Sequence, residues 1–116
     1  MSVFFDSNIR EDRLKTLFKE MVDIYSPSGK EHELVEHLHG TLARLGLPVS
    51  LHDIGDGRCN LEVTEPGGSP EIAFVGHLDT VPAFDIEQFE FSEREGRIYG
   101  LGTADMKGGC AAMIEA

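Results

Sequence analysis

The spacing of apolar residues changes along this chain of 116 residues, and these changes set its fold class. As far as Leu45, apolar residues recur every three or four positions, which predicts helices with one buried face. From Val49 onward they alternate with polar residues, which predicts strands. Residues 107–116 are predicted to start another helix, with Met113 and Ile114 on its buried side. Helices, then strands, then a helix indicate an α/β fold.

Two helices are predicted before residue 46, each opened by a capping box. Asn8 with Glu11 opens the first and Ser28 with Glu31 the second, because the short polar side chain caps a backbone N–H while the glutamate reaches back. Gly46 suits the left-handed position after the second helix. The predicted buried faces comprise Leu14, Leu17, Phe18, Met21, Val22 and Tyr25 in the first helix, and Leu34, Val35, Leu38, Leu42 and Leu45 in the second.

Strands are predicted between residues 49 and 99. The Gly-Asp-Gly turn at 55–57 lies between two alternating segments and predicts an antiparallel hairpin. The continuous apolar run at 72–75 predicts a central strand buried on both faces. Residues 76–79 would then lie at its carboxyl end, where α/β proteins build their sites. We expect residues 82–95 to be irregular and Arg97–Tyr99 to form a short strand.

Composition limits the class of protein and of partner. The formal net charge of −11 argues against a nucleic-acid partner and against an anionic membrane surface, since both attract basic faces. No apolar run approaches the ~20 residues that span a bilayer. Residues 1–10 lack a basic region followed by an apolar core, so the protein is predicted to be cytoplasmic. Cys59 and Cys110 are too few for a disulfide framework and are predicted to be small buried apolar residues.

One histidine and two aspartates lie in two short motifs. His77 and Asp79 belong to G-H-L-D-T-V-P, directly after the predicted central strand, and Asp105 belongs to Y-G-L-G-T-A-D-M-K-G-G, in a glycine-rich turn. Because side chains alternate along an extended segment, Asp79 can accept the second ring N–H of His77. The two oxygens of Asp105 can each bind a cation, as in two-metal hydrolases. On residue chemistry alone, a surface ion pair and an ordinary turn or phosphate loop remain alternatives.

Three other motifs fail at single positions. A dinucleotide fingerprint needs glycine where Asp105 stands, and a carboxylate repels a pyrophosphate. A P-loop needs serine or threonine after Lys107, where Gly108 stands. The zinc-protease pattern H-E-x-x-H needs histidine in place of Glu36. We therefore predict that the other histidines face solvent, namely His32, His37, His39 and His52.

The two motifs, in this order, resemble the paired signature of the zinc aminoacylase and carboxypeptidase family. That family includes acetylornithine deacetylase, succinyl-diaminopimelate desuccinylase, aminoacylase and carboxypeptidase G. The resemblance is loose over the whole chain, dense over residues 72–116, and nearest to the acetylornithine deacetylase branch. It implies that residues 1–116 are the N-terminal fragment of a three-layer α/β/α catalytic domain with a mixed sheet, truncated within a helix.

The resemblance also implies a role for each residue of the motifs. His77 would bind one zinc ion, Asp105 would bridge two, and Asp79 would be the catalytic acid behind His77, with a cis peptide after Asp105. Cobalt or manganese would be substitutes for zinc. The general base, the remaining ligands and a lid domain that forms a homodimer lie beyond residue 116 in the family. Leu101 departs from the family pattern, where arginine is frequent, which should alter packing or rim charge rather than metal ligation.

The predicted function is hydrolysis of the amide bond of an N-acyl amino acid by a dizinc enzyme of the deacetylase or desuccinylase type. The alternatives are a carboxypeptidase or dipeptidase of the same family, acting on peptides, and a non-catalytic binding module if the chain naturally ends at Ala116. Two ligands fall short of the three protein ligands usual in catalytic zinc sites. We therefore expect this chain by itself to be inactive and to bind zinc weakly, and its bare apolar surface to promote self-association.

Overall fold

The computed structural model describes residues 9–84 and 88–116. The described part contains three helices, two hairpins and an irregular turn before the last helix. No helix in these two ranges is long and apolar enough to cross a membrane. The elements are α1 (Glu11–Asp23), α2 (His32–Arg44), β1 (Val49–Gly55), β2 (Arg58–Val63), β3 (Ser92–Arg94), β4 (Arg97–Tyr99), the turn Thr103–Lys107, and α3 (Gly108–Glu115).

The core lies where the three helices meet. Its buried cluster consists of Leu17, Met21, Leu34, Leu38, Cys110 and Ala111. The predicted faces of α1 and α2 supply most of it, and Met113 and Ile114 pack against it partly buried. Leu45 is wrongly predicted as buried: it is 61% exposed, because α2 ends at Arg44 and the chain turns away. Cys110 is buried as predicted, whereas Cys59 is only half-buried.

The predicted capping box of the second helix is wrong. Helix α2 begins at His32, and Glu31 occupies the N-cap position without a side-chain capping bond. Glu31 instead accepts a hydrogen bond from Nε of Arg58 at 2.7 Å, which ties the helix start to β2. Asn8 of the other predicted box lies outside the described residues. Gly46 has φ +77°, the left-handed conformation expected after the helix.

Each hairpin is a separate two-stranded antiparallel sheet. The predicted pairing of β1 with β2 is confirmed, with Val49 opposite Val63. The segment 82–95 is not wholly irregular as predicted, because β3 lies within it and pairs with β4, itself predicted. The Arg94 guanidinium lies 4.5 Å from the centroid of the Tyr99 ring, and this contact joins the strands. The three residues of β3 are all polar, so no alternation marks this strand in the sequence.

The predicted central strand at 72–75 is also wrong in this structure. These residues belong to neither sheet, and Ile72, Phe74 and Val75 are 75%, 80% and 84% exposed. A strand requires a neighbour to accept its backbone hydrogen bonds, and neither hairpin lies alongside. The described residues therefore form an α/β fragment with two small sheets. The three-layer arrangement and the mixed sheet remain predictions.

Candidate metal centre

A short parallel pairing holds the segment that carries His77. Residues 78–80 lie beside residues 26–28, with Thr80 N–H donating to the Ser26 carbonyl at 2.9 Å and Ser28 N–H donating to the Thr80 carbonyl at 3.1 Å. The hydroxyl of Ser26 donates to the Leu78 carbonyl at 2.8 Å. The loop before α2 therefore fixes the backbone on both sides of Asp79.

Asp105 lies in the turn that joins β4 to α3. The approach to this turn requires Gly102, which has φ +78° and where an added Cβ would lie 2.5 Å from Cγ2 of Thr80. No other residue type fits so close a contact in that conformation. The bond between Asp105 and Met106 is cis, as the resemblance implies. The turn brings Asp105 beside the histidine segment.

Lys107 anchors the other end of the turn, a role that the sequence did not reveal. Its side chain is buried, and Nζ donates to the carbonyls of Met21 and Ile24 at 2.8 and 2.9 Å. These carbonyls lie at the carboxyl end of α1, where helix carbonyls lack partners and attract a cation. Burial lowers the pKa of Lys107 to about 8, against the opposing effect of the Asp23 charge. The ammonium thus joins the Asp105 turn to α1.

All three predicted site residues come together. The Nε2 atom of His77 lies 2.8 Å from Oδ1 of Asp105. The Nδ1 atom lies 3.0 Å from the backbone oxygen of Asp79 and 3.2 Å from its Oδ1. The side chains of His77, Asp79 and Asp105 are 46%, 31% and 88% exposed, so the group is open to solutes. Ser28 and Thr80 also line this open depression.

Every oxygen that faces the His77 ring is an acceptor. The Asp79 carbonyl, and after it the Asp105 carboxylate, raise the pKa of His77, because both favour the protonated ring. The Ser28 hydroxyl, and to a smaller degree the His77 ring, lower the pKa of Asp79 by hydrogen bonding to its charged form. Between Nε2 and Oδ1 of Asp105 a proton must be shared, since neither atom can donate without one.

The same pair of atoms suits a metal ion. An imidazole nitrogen and a carboxylate oxygen are both common zinc ligands, and a cation in place of the shared proton would satisfy both. Asp79 would then keep the Nδ1 proton, as carboxylates behind metal-bound histidines do. Within residues 9–84 and 88–116, no group of three or more His, Cys, Asp or Glu side chains is placed to hold a metal. The donor set thus fits part of a zinc site.

The other histidines lie away from this centre. His32 and His52 are exposed as predicted, and His52 faces Glu62 on the neighbouring strand at 3.4 Å. His37 and His39 are half-buried rather than solvent-facing. Nε2 of His37 lies 3.0 Å from a carboxylate oxygen of Glu20 on α1, so it bridges two helices. The prediction was therefore wrong for His37 and His39.

The residues of the site lie in a stretch of the chain that matches a known protein family. Residues 73–116 match Peptidase family M20/M25/M40. The chain is 32% identical over 109 residues to a probable succinyl-diaminopimelate desuccinylase of Staphylococcus epidermidis, covering 90% of this chain and 27% of that protein. It is 33% identical over 105 residues to succinyl-diaminopimelate desuccinylase of Wolbachia pipientis, covering 86% of this chain and 26% of that protein.

A further relative carries a different name. The chain is 33% identical over 104 residues to a protein of Pyrococcus furiosus named provisionally as a LysW-lysine/LysW-ornithine hydrolase, covering 90% of this chain and 29% of that protein. The chain thus spans between a quarter and a third of the length of these relatives. The matched stretch contains His77, Asp79 and Asp105. Over residues 73–116 the chain is thus similar to Peptidase family M20/M25/M40.

Proposed function

We propose that this chain is part of the catalytic domain of a dizinc hydrolase that cleaves the amide bond of an N-acyl amino acid. The observation that carries the proposal is the contact of 2.8 Å between Nε2 of His77 and Oδ1 of Asp105, with Asp79 on the other ring nitrogen. Relatives named as desuccinylases support an amide substrate. The activity belongs to a polypeptide longer than these 116 residues, because the chain matches only a fraction of those relatives.

Each residue has one proposed task. His77 would hold one zinc ion through Nε2, and Asp105 would contribute its carboxylate to both ions. With the metal bound, Asp79 would accept the Nδ1 proton of His77 and so orient the ring, leaving Nε2 to the metal. Zinc, when bound, lowers the pKa of an attacking water and polarises the substrate carbonyl.

The isolated chain is proposed to be inactive. His77 and Asp105 provide two donors, whereas catalytic zinc sites usually have three protein ligands. The general base, the remaining ligands and the dimer-forming lid are proposed to come from residues outside this chain. A cytoplasmic location suits an enzyme that acts on small metabolites.

The acyl group is proposed to be succinyl or acetyl. Two relatives with printed desuccinylase names favour succinyl, whereas the motif at 99–109 resembles acetylornithine deacetylase. The Pyrococcus furiosus relative, with its different printed substrate, indicates that similar chains serve hydrolases of more than one specificity. Specificity must therefore be measured.

The test uses the polypeptide encoded by the complete reading frame that contains this chain. Purified with zinc, it should hydrolyse N-succinyl or N-acetyl amino acids faster than dipeptides. His77→Ala and Asp105→Ala should each reduce kcat/KM by at least about a thousandfold, since each would remove a metal ligand. His52→Ala, an exposed histidine on β1, is the matched control and should be unchanged. Normal activity in either site variant would contradict the assignment, and faster cleavage of dipeptides would favour the peptidase alternative.

A further inference from the structure

Gly76, the residue before His77, lies directly against helix α3. A Cβ added at this position would lie 2.8 Å from Sγ of Cys110, 2.8 Å from Cε of Met113 and 3.0 Å from Cε of Met106. Non-bonded carbon atoms pack best at about 3.5–4.0 Å, so a methyl group does not fit in this space. The φ angle of Gly76 is not positive, so close packing, rather than backbone conformation, is the reason for a glycine here.

The three neighbours of Gly76 differ in how easily they can move. The methyl carbons of Met106 and Met113 end long flexible side chains that are only partly buried, so they can turn away. Cys110 is 5% exposed, and its thiol donates a hydrogen bond to the His77 carbonyl at 3.3 Å. A change in its rotamer would break this bond within the core. Cys110 is therefore the neighbour that excludes a side chain at position 76.

The contact between Gly76 and Cys110 joins the two motifs of the candidate centre. Cys110 lies in the first turn of α3, which directly follows the turn that carries Asp105. The Cβ position of Gly76 and the side chain of Leu78 both face the helical core. Because side chains alternate along an extended segment, His77 points to the other side, where it meets Asp105. A side chain at position 76 would therefore push the His77 segment away from α3.

We propose that Gly76 is a positioning residue: by lacking a side chain, it sets how closely the His77 backbone lies to α3, and thereby the distance from His77 to Asp105. The thiol of Cys110 limits this approach from the helix side. The proposal rests on the proposed function only in that His77 and Asp105 are the proposed metal ligands. The spacing of the two side chains exists whether or not the longer protein is a hydrolase.

The test is the proton–proton NOE between the ring of His77 and the β-protons of Asp105. It is measured by NMR on dilute samples of the 116-residue chain with a chelator present. Nε2 of His77 lies 2.8 Å from Oδ1 of Asp105, so the wild type should show this NOE. Gly76→Ala should weaken it, because the added methyl group moves the His77 segment off α3. The NOE between Leu51 and Leu61, which face each other across the first hairpin, is the internal reference.

Substitution of Cys110 separates spacing from general damage to the fold. Gly76→Ala combined with Cys110→Ala should restore the NOE, because loss of Sγ makes room for the methyl group. Cys110→Ala by itself should keep the wild-type NOE, because residues 78–80 remain paired with residues 26–28. Gly109→Ala is the matched control and should also keep it, since a Cβ there would lie 3.4 Å from the flexible end of Met106.

Three results would overturn the proposal. A wild-type NOE in Gly76→Ala would show that the methyl group fits. Equal weakening in Cys110→Ala would show that the thiol, rather than the glycine, sets the distance. A double variant that stays weak or does not fold would show that the contact with Cys110 is not the cause, and it decides the matter if Gly76→Ala alone does not fold. None of these results depends on zinc, so failure of the proposed function is recognised separately.

Discussion

Residues 72–75 and 77–80 are close together in the chain, yet they differ in how they are held in the structure. The first segment exposes Ile72, Phe74 and Val75 and belongs to neither sheet. The second is held by backbone pairing to residues 26–28 and brings His77 to Asp105. Polar partners for the second segment lie within the 116 residues. The apolar partners that the first segment needs are absent from the described part. The residues of the site are thus held in place locally, although the segment that precedes them is not packed.

The largest predicted effect contrasts a core residue with an exposed one. Leu38→Ala should lower the free energy of unfolding by about 2–5 kcal/mol, because Leu38 is 1% exposed in the helical cluster and its removal leaves a cavity. Phe74→Ala should change it by less than about 0.5 kcal/mol, because Phe74 is 80% exposed. Urea denaturation of dilute samples measures both. A large loss in Phe74→Ala would show that residues 72–75 are packed and would remove the contrast.

A smaller effect is expected from the anchor of the Asp105 turn. Lys107→Met should lower the free energy of unfolding by about 1–3 kcal/mol, because the carbonyls of Met21 and Ile24 lose their buried donor. Lys15→Met is the matched control: Lys15 forms an exposed pair with Glu93 and should cost less than about 1 kcal/mol. Equal effects on the unfolding midpoint would show that the buried contacts of Lys107 do not stabilise the turn.

Self-association should depend on the first segment. An exposed apolar segment outside any sheet can pair with another chain, so sedimentation velocity should show association as concentration rises. Phe74→Glu should move the midpoint of self-association to about tenfold higher protein concentration, equivalent to ~1.4 kcal/mol. Ile54→Glu, at an exposed apolar position of β1, is the control. A wild type that stays monomeric at all concentrations would refute the prediction.

The smallest effect is a pH dependence at the end of α3. Arg13, and after it the Arg10 N–H, hydrogen-bond to the carboxylate of Glu115 and lower its pKa from 4.5 to about 2. A carboxyl group with a depressed folded pKa contributes stability above its unfolded pKa and loses it as pH falls from 4.5 toward 2. Glu115→Gln should therefore flatten the decline in thermal stability over this window. An identical decline in wild type and variant would assign it to other carboxylates.

A feature could be predicted from the sequence when the residues that determine it lie close together along the chain. Periodicity identified α1, α2 and the first hairpin, because one buried face is set by neighbours a few residues away. The motifs predicted that His77, Asp79 and Asp105 belong together, and the structure brings these three side chains together, whereas their role stays a prediction. The burial of 72–75 was predicted wrongly, since an apolar run shows a need for neighbours but not their presence.

The roles of Ser28 and Lys107 were missed for a related reason. Ser28 lies in a stretch that satisfies the local pattern of a capping box, yet its partner Asp79 is 51 residues away. Lys107 reads as an ordinary helix-start residue, and its partners on α1 are 83 and 86 residues away. Hydrogen bonds between residues so far apart in the chain produce no periodic pattern in the sequence. A buried lysine two residues after Asp105 is visible only when the fold is known.

The central claim is that His77 and Asp105 are ligands of a two-zinc centre in the longer protein. The most direct measurement is an anomalous X-ray difference map, collected at the zinc edge from crystals of the full-length polypeptide. We predict two peaks that share the Asp105 carboxylate, one of them about 2.0–2.1 Å from Nε2 of His77. Zinc peaks found only elsewhere, with His77 still hydrogen-bonded to Asp105, would contradict it.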